Sequence, residues 1–384
     1  MRFLKLVLPG ITMIAATYGL GRFSYGLLLP DMNESLHMSE FISGVISSLF
    51  YLSYCTTIIF STVITTREGP RKMILLAGLF AFTGLLLMAA TPNAWVLAFG
   101  VFLVGGSTGL ISPPYGAAIS LWITEEKQGK ANTWINSGTG FGIILSGAGA
   151  IVLSPNWRMT YLIYAILTLL VLIWNFRVIP RSETHMKLLL EQGTLSIRGI
   201  NGAIPLIMAS LALGVSTAAF WTFSKSFIEL YGYYSDWQLS GFWIVIGLSG
   251  VLGGFSGSLV EKKGLSFSYK LGCWFIASAF IILSIAPDYL MGAYISAGIF
   301  GSSYIFITGV LLVWGIRIFI TNASLGIGVP FLLLALGQVI GSILAGWIIG
   351  TWGYAISFMF FGIISIATVL IEPKESDYRE LANK

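Results

Sequence analysis

The first apolar run, LKLVLPGITMIAATYGLGRFSYGLLLP (Leu4–Pro30), decides what kind of protein this is. A bilayer core of ~30 Å needs ~20 predominantly apolar residues in one helix, and the run exceeds that. Arg2 and Lys5 at its start are what a secretory signal would also carry. The apolar part is too long for a signal core, however, and no convincing small-residue cleavage site follows. It reads as a retained first transmembrane helix. Its outer third holds a permanent positive charge, Arg22, where hydrocarbon is expected.

The rest of the chain has the same character. Of 384 residues, 56% are hydrophobic and 10% charged, against about 25% charged in a soluble domain. The formal net charge of +5 would point to nucleic acid in a soluble protein. In a membrane protein it points to cytoplasmic loops, so no nucleic-acid partner is expected. Cys55 and Cys273 both lie in apolar runs, with neither a disulfide framework nor metal-ligand spacing. His37 and His185 fall in polar connections away from other ligand types. No metal, no cofactor and no enzymatic residue set is expected.

Apolar runs recur near 4–30, 41–64, 73–91, 94–122, 132–153, 157–178, 201–230, 238–260, 265–286, 289–316, 323–350 and 352–371. The fourth could break at Pro113-Pro114, since proline removes a backbone donor. With the N-terminus inside, 18 of the 21 Lys and Arg fall in cytoplasmic segments, and only Arg158 lies in an outer loop. The remaining two, Arg22 and Lys225, lie within spans. That asymmetry predicts a multi-pass cell-membrane protein with both termini cytoplasmic. The long polar stretch RSETHMKLLLEQGTLSIRG divides six spans from six. The expected organisation is therefore a six-helix bundle over 1–178, a linker over 179–200 and a second six-helix bundle over 201–384. The spacing of Gly138, Gly142 and Gly147 in span five recurs in Gly337, Gly341 and Gly346 of span eleven. Glycine lets helices approach closely in lipid, and a repeat of this kind is a common transporter plan.

At this level the chain resembles the major facilitator superfamily over essentially its full length. The superfamily's G-x3-D-x2-G-R-[RK] loop is echoed between spans eight and nine by Gly257, Glu261, Lys262, Lys263 and Gly264. The first copy, between spans two and three, is degraded: Thr62 and Thr66 replace the first glycine and the acid, while Gly69, Arg71 and Lys72 remain. The resemblance implies an all-α fold of twelve helices in two pseudo-symmetric bundles. It also implies alternating access and a gating role for Gly257, Glu261, Gly264, Gly69 and Arg71. A mid-span arginine typical of the fourth helix in proton-coupled members is missing from FGVFLVGGSTG, and the drug-antiporter proline is missing from GFGIILSGAGA.

Arg22 lies eight residues before Pro30, roughly 12 Å below the outer helix end at ~1.5 Å per residue. A charge near the membrane centre costs ~3 kcal/mol or more. Arg22 should therefore face a wet cavity or a partner, unless it snorkels or binds backbone carbonyls between helices. Lys225, in the matching span seven, has Glu229 at i+4, within pairing reach. No Asp, Glu or His lies deep in any span, so a counter-charge from the cargo is expected, and arginine matches carboxylate or phosphate in two parallel bonds. Some organic-anion members of the superfamily likewise place basic residues in spans one and seven.

Helical spacing adds Tyr18 and Tyr25 beside Arg22, and Trp221 beside Lys225. Asn136 on span five, Tyr304 on span ten and Gln338 on span eleven complete the candidate substrate site, with Tyr54 on span two a further candidate. The function expected is a transporter of a small organic anion (carboxylate, phosphate or sulfonate). It is expected to act as a monomer in contact with lipid, with a coupled proton or an exchanged anion as possible co-partner. The alternative is efflux of drugs or other lipophilic compounds, supported by the 14% aromatic content.

Overall fold

The computed structural model describes residues 3–180, 200–319, 323–371 and 373. The linker residues from 181 onward, with His185, Arg181, Lys187 and Arg198, lie outside the described residues, as do Arg2 and the tail cations Lys374, Arg379 and Lys384. The described chain is helical throughout: α1 Phe3–Ile14, α2 Ser24–Leu36, α3 Glu40–Glu68, α4 Pro70–Ala90, α5 Ala94–Trp122, α6 Glu125–Leu153, α7 Trp157–Val178, α8 Ile200–Tyr231, α9 Asp236–Gly250, α10 Ser256–Lys263, α11 Leu265–Ile285, α12 Leu290–Ile318, α13 Ala323–Trp352 and α14 Tyr354–Ala367. A π-helical segment, Ala15–Arg22, links α1 to α2, and a 3₁₀ segment, Val251–Phe255, links α9 to α10. Joined in this way, eleven described helices are long and apolar enough to cross a membrane, and Tyr354–Leu370 forms a shorter apolar one.

Local sequence sets the ends. Ser39 caps α3 by accepting from Ile42 N at 3.3 Å. Asn93 caps α5, accepting from Trp95 N and Val96 N at 3.1 Å. Such caps satisfy donors that the first helical turn leaves unbonded. Gly69 and Gly264 end the second and eighth spans at φ +82° and +89°, a region that only glycine enters without strain. Pro70 then opens α4, where its missing N–H is no loss. Helix α5 runs unbroken through Pro113 and Pro114. The expected break does not occur, because neighbouring groups in a bundle can satisfy the freed carbonyls.

The described residues form two compact units. The first holds the described residues up to 180 together with Asp236–Ile244, and the second holds residues 200–235 and the described residues from Val245 onward. The start of α9, expected in the second bundle, thus groups with the first. Gly147 of α6 faces Ile244, and Ser154 Oγ donates to Asp236 Oδ2 at 2.7 Å.

Within each unit, one pair of spans packs backbone to backbone. A Cβ built on Gly138 would sit 2.3 Å from Ile11 O, and one on Gly142 2.4 Å from Ala15 O. In the second unit, Gly337 would meet Leu211 O at 2.1 Å and Gly341 would meet Val215 O at 2.2 Å. The glycine partners recur 199 residues later and the carbonyl partners 200 later. The glycine spacing in the sequence therefore marks one repeated contact: span five on span one, and span eleven on span seven.

A buried polar brace anchors the N-terminal end of span one. Tyr115 Oη donates to Asn175 Oδ1 at 2.6 Å, and Asn175 Nδ2 donates to Pro9 O at 3.2 Å. Spans one, four and six are joined there by groups that would otherwise be buried unsatisfied.

Replacing Gly142 or Gly341 by leucine should abolish most monodisperse protein on size-exclusion of detergent extracts, since each side chain would enter a backbone and overpacking alone costs ~1–3 kcal/mol. Gly116→Ala, where nothing lies within 4 Å of an added Cβ, should extract like the unmodified chain.

Candidate substrate-binding site

The π segment is built from AATYGLGR. Gly19 of this segment lies against the Gly142 backbone, where its Cβ would fall 2.1 Å from Gly142 Cα. The turn closes with Phe23 N donating to Tyr18 O at 2.9 Å, an i to i−5 bond. A π turn is wider than the 3.6-residue α turn. Residues after it are rotated away from the register that a uniform helix would give them.

Arg22 ends this segment and is partly buried. Its guanidinium carbon lies 5.0 Å from the ring centre of Phe23, 5.2 Å from Tyr51, 5.5 Å from Phe50, 5.8 Å from Tyr54 and 5.9 Å from Tyr18. All five fall within the ~6 Å range of cation–π attraction, each worth ~0.5–2 kcal/mol. Phe50, Tyr51 and Tyr54 come from one stretch of α3. The close approach of α5 holds that stretch in place: a Cβ on Gly105 would lie 2.2 Å from Phe50 O. Tyr18 is fixed by its hydroxyl, 3.2 Å from both Thr108 O and Ser112 Oγ.

Tyr25, placed on the Arg22 face by α-helical spacing, belongs to a different contact. It is 5% exposed, and its hydroxyl donates to Ser43 O at 3.0 Å, bracing α2 against α3. Asn136 is exposed and donates to Asn132 O and Oδ1 on its own helix, at 2.9 and 3.0 Å. Sequence reasoning named Tyr18 and Tyr54 but missed Phe23, Phe50 and Tyr51. The run FYLSY at 50–54 was the available signal, since its aromatics stand at i, i+1 and i+4 on one helix.

In the second unit, three of the candidates meet. The Trp221 ring lies 5.1 Å from that of Tyr304, edge-on, and 5.2 Å from that of Phe300. Gln338 Nε2 donates to Tyr304 Oη at 3.3 Å. Lys225, one turn beyond Trp221, is 6% exposed and stands 3.6 Å from Glu229 Oε2. The repeat explains why the two in-span charges do not match. A 200-residue offset sets Arg22 opposite Thr222 and Lys225 opposite Tyr25.

The two loop motifs share the left-handed glycines Gly69 and Gly264 but not their chemistry. Arg71 donates from NH2 to Phe176 O at 2.6 Å and from NH1 to Ile179 O. Its guanidinium carbon lies 5.1 Å from the Phe176 ring. It therefore caps the C-terminal carbonyls of α7, where a cation also meets the negative end of the helix dipole. Thr66, standing where the acid would be, returns its hydroxyl to Val63 O at 2.6 Å. Gly257 and Gly264 have open space around them, and Glu261 is exposed.

Paired spans packed on glycine, and a cation held among rings beside one span, are features of a polytopic membrane protein. Residues 11–329 match the model described as "Major Facilitator Superfamily", and the chain belongs to that family. It is similar to monosaccharide-sensing protein 1 of Arabidopsis thaliana, 27% identical over 46% of this chain and 25% of that protein. It is also similar to the voltage-gated purine nucleotide uniporter SLC17A9 of Homo sapiens, 25% identical over 46% of this chain and 41% of that one. The chain thus matches a quarter to two-fifths of the length of these relatives. Its fold is that of the crystal structure of peptide transporter POT, with a TM-score of 0.79 at 13% identity, covering 98% of this chain and 95% of that one.

Arg71→Ala should leave the C-terminal turn of α7 uncapped, at a cost of about 0.5–2 kcal/mol. The expected result is a lowered melting temperature with faster amide exchange confined to residues near 176–180, read by hydrogen–deuterium exchange mass spectrometry. Unchanged exchange there would mean that the cap contributes nothing.

Proposed function

We propose that this chain carries a small organic anion across the cell membrane by alternating access, with Arg22 as the cargo's counter-charge. The observation that carries this reading is the enclosure of Arg22 by five rings. Facing π systems offset part of the cost of an ionised group in low dielectric without supplying a full negative charge. A guanidinium is a planar fork of N–H donors, a shape that fits a carboxylate or phosphate in parallel bonds. The human relative, named as a purine nucleotide uniporter, agrees with an anionic cargo.

Trp221, Tyr304 and Gln338 are proposed as further cargo contacts, offering ring surface and one amide. Lys225 is a weaker candidate, since Glu229 already draws on its charge. The loop glycines Gly69, Gly257 and Gly264, with Arg71 and Glu261, are proposed to act in gating. The protein is proposed to work as a monomer with both termini cytoplasmic, the orientation that the basic residues favour. Charge balance is proposed to come from exchange of anions or from a proton moving with the cargo.

Arg22→Gln should cut uptake of labelled carboxylates, phosphates and sulfonates into proteoliposomes by more than tenfold, since losing one partner of a buried charge pair costs ~2–5 kcal/mol. Arg22→Lys should retain part of it. Both variants should elute from size-exclusion like the parent. Full uptake by the glutamine variant would reject the anion reading.

A further inference from the structure

A second cationic feature of the first unit lies on its outside, where spans three and six meet. We infer that this pair of spans holds an anionic phospholipid, typified by phosphatidylglycerol, with the headgroup on Arg71, Lys72 and Arg177 and the acyl chains along α4 and α7. The inference does not depend on what the chain carries.

Helical spacing builds the apolar part. On α7, Ile166, Leu170 and Ile173 are exposed and lead to exposed Arg177. They stand at i, i+4, i+7 and i+11, which is one helix face. On α4, exposed Leu86 and Leu79 lead to exposed Lys72 in seven-residue steps along another face. The two helices pack closely, since a Cβ on Gly78 would lie 2.7 Å from Leu172 Cδ1. Both stripes reach their cation at the same end of the pair. Helix α4 begins where α7 stops, and Arg71 in the first turn of α4 bonds the last carbonyls of α7. From Ile166 to Arg177 the face runs about 16 Å at ~1.5 Å per residue. That matches the hydrocarbon of one leaflet, ~15 Å or half of a ~30 Å core.

The polar end is organised before any ligand arrives. Arg71 gives one N–H to Phe176 O and one to Ile179 O, out of the five that a guanidinium carries. The Phe176 ring, itself exposed, lies 5.1 Å from its central carbon. A guanidinium already held in place loses less freedom on binding, and its planar fork suits the two free oxygens of a phosphodiester. Around it the charges are unequal. Arg67, Lys72 and Arg177 are exposed on the same helix ends, and the acid beside them, Glu68, takes Lys72 at 2.6 Å. A zwitterionic lipid brings no net charge to this surplus, whereas an anionic lipid gains from each cation near the surface.

The second unit supplies an internal comparison. Gly264 repeats the left-handed turn of Gly69, but Leu265, Ser266 and Phe267 follow it where Pro70, Arg71 and Lys72 follow Gly69. Its loop cations Lys262 and Lys263 are exposed ahead of the glycine. The second loop thus carries charge without a guanidinium set on a neighbouring helix end at that position.

The test uses the purified full-length chain in phosphatidylcholine proteoliposomes that contain phosphatidylglycerol with a photoactivated diazirine on one acyl chain. Labelled peptides are located by mass spectrometry, and unlabelled phosphatidylglycerol, phosphatidylethanolamine and the free headgroup glycerophosphoglycerol compete. Labelling should concentrate on residues 72–86 and 166–177. Phosphatidylglycerol should displace the probe at least fivefold more effectively than phosphatidylethanolamine, and the free headgroup should not displace it. Lys72→Gln combined with Arg177→Gln, both at exposed positions, should weaken retention of the probe at least fivefold. Lys262→Gln combined with Lys263→Gln removes the same charge from the other loop and should change retention less than twofold.

Equal displacement by the two phospholipids in the parent would overturn the inference without any variant. Equal loss in the two double variants would reduce the site to general surface charge. Displacement by glycerophosphoglycerol would make it a site for a soluble phosphodiester instead of a lipid. Labelling confined to other helices would mean that another part of the chain covers this face, and would equally overturn it.

Discussion

The structure depends on how a permanent charge is kept inside a membrane span. Arg22 is tolerated because five aromatic rings from spans one and two stand within 6 Å of its guanidinium. Each contact is modest, but together they are of the same order as the ~3 kcal/mol or more that such a charge costs. Rings also do something a carboxylate would not. They stabilise the cation without themselves carrying a full negative charge.

The enclosure requires its own scaffolding. The π segment at Ala15–Arg22 sets the direction of the Arg22 side chain, and it lies where span five comes in backbone to backbone through Gly138 and Gly142. On the other side, Gly105 lets span four press on the Phe50 backbone and fix the aromatic stretch of span two. Below, the Tyr115–Asn175–Pro9 brace ties spans one, four and six. Small residues and a few satisfied polar groups thus do the positioning, as expected where lipid supplies no hydrophobic drive between helices. Span seven has the same glycine contact with span eleven but carries Thr222 at the repeat position of Arg22. The two units therefore share a packing plan and differ in charge.

The degraded first loop motif illustrates how a resemblance can hold in backbone and fail in chemistry. Gly69 keeps the left-handed turn that its counterpart Gly264 also adopts. The acid shifts by two residues: Glu68 pairs with Lys72 at 2.6 Å, while Thr66 bonds back into its own helix and Arg71 turns to the carbonyl end of span six. A cation near unsatisfied helix carbonyls is a stable arrangement in its own right. The arginine thus has a structural use here, whatever the loop does during transport.

Sequence alone determined the membrane class, the run of apolar helices and the family, because hydrocarbon forces long apolar helices with their charges at the ends. It also singled out Arg22, since a charge in a long apolar run needs no coordinates to be noticed, and it marked the glycine spacing that proved to be one packing contact used twice. What it did not determine was the company Arg22 keeps. Uniform α-helical spacing put Tyr25 beside it; the π segment and the Tyr25–Ser43 contact put Tyr25 elsewhere. The FYLSY run marked Phe50 and Tyr51 as an aromatic stretch, but their nearness to Arg22 arises between helices, from how closely spans four and five allow their neighbours to pack. Only the tertiary structure decides that, because periodicity fixes which face a residue shares within one helix and says nothing of which face of another helix it meets.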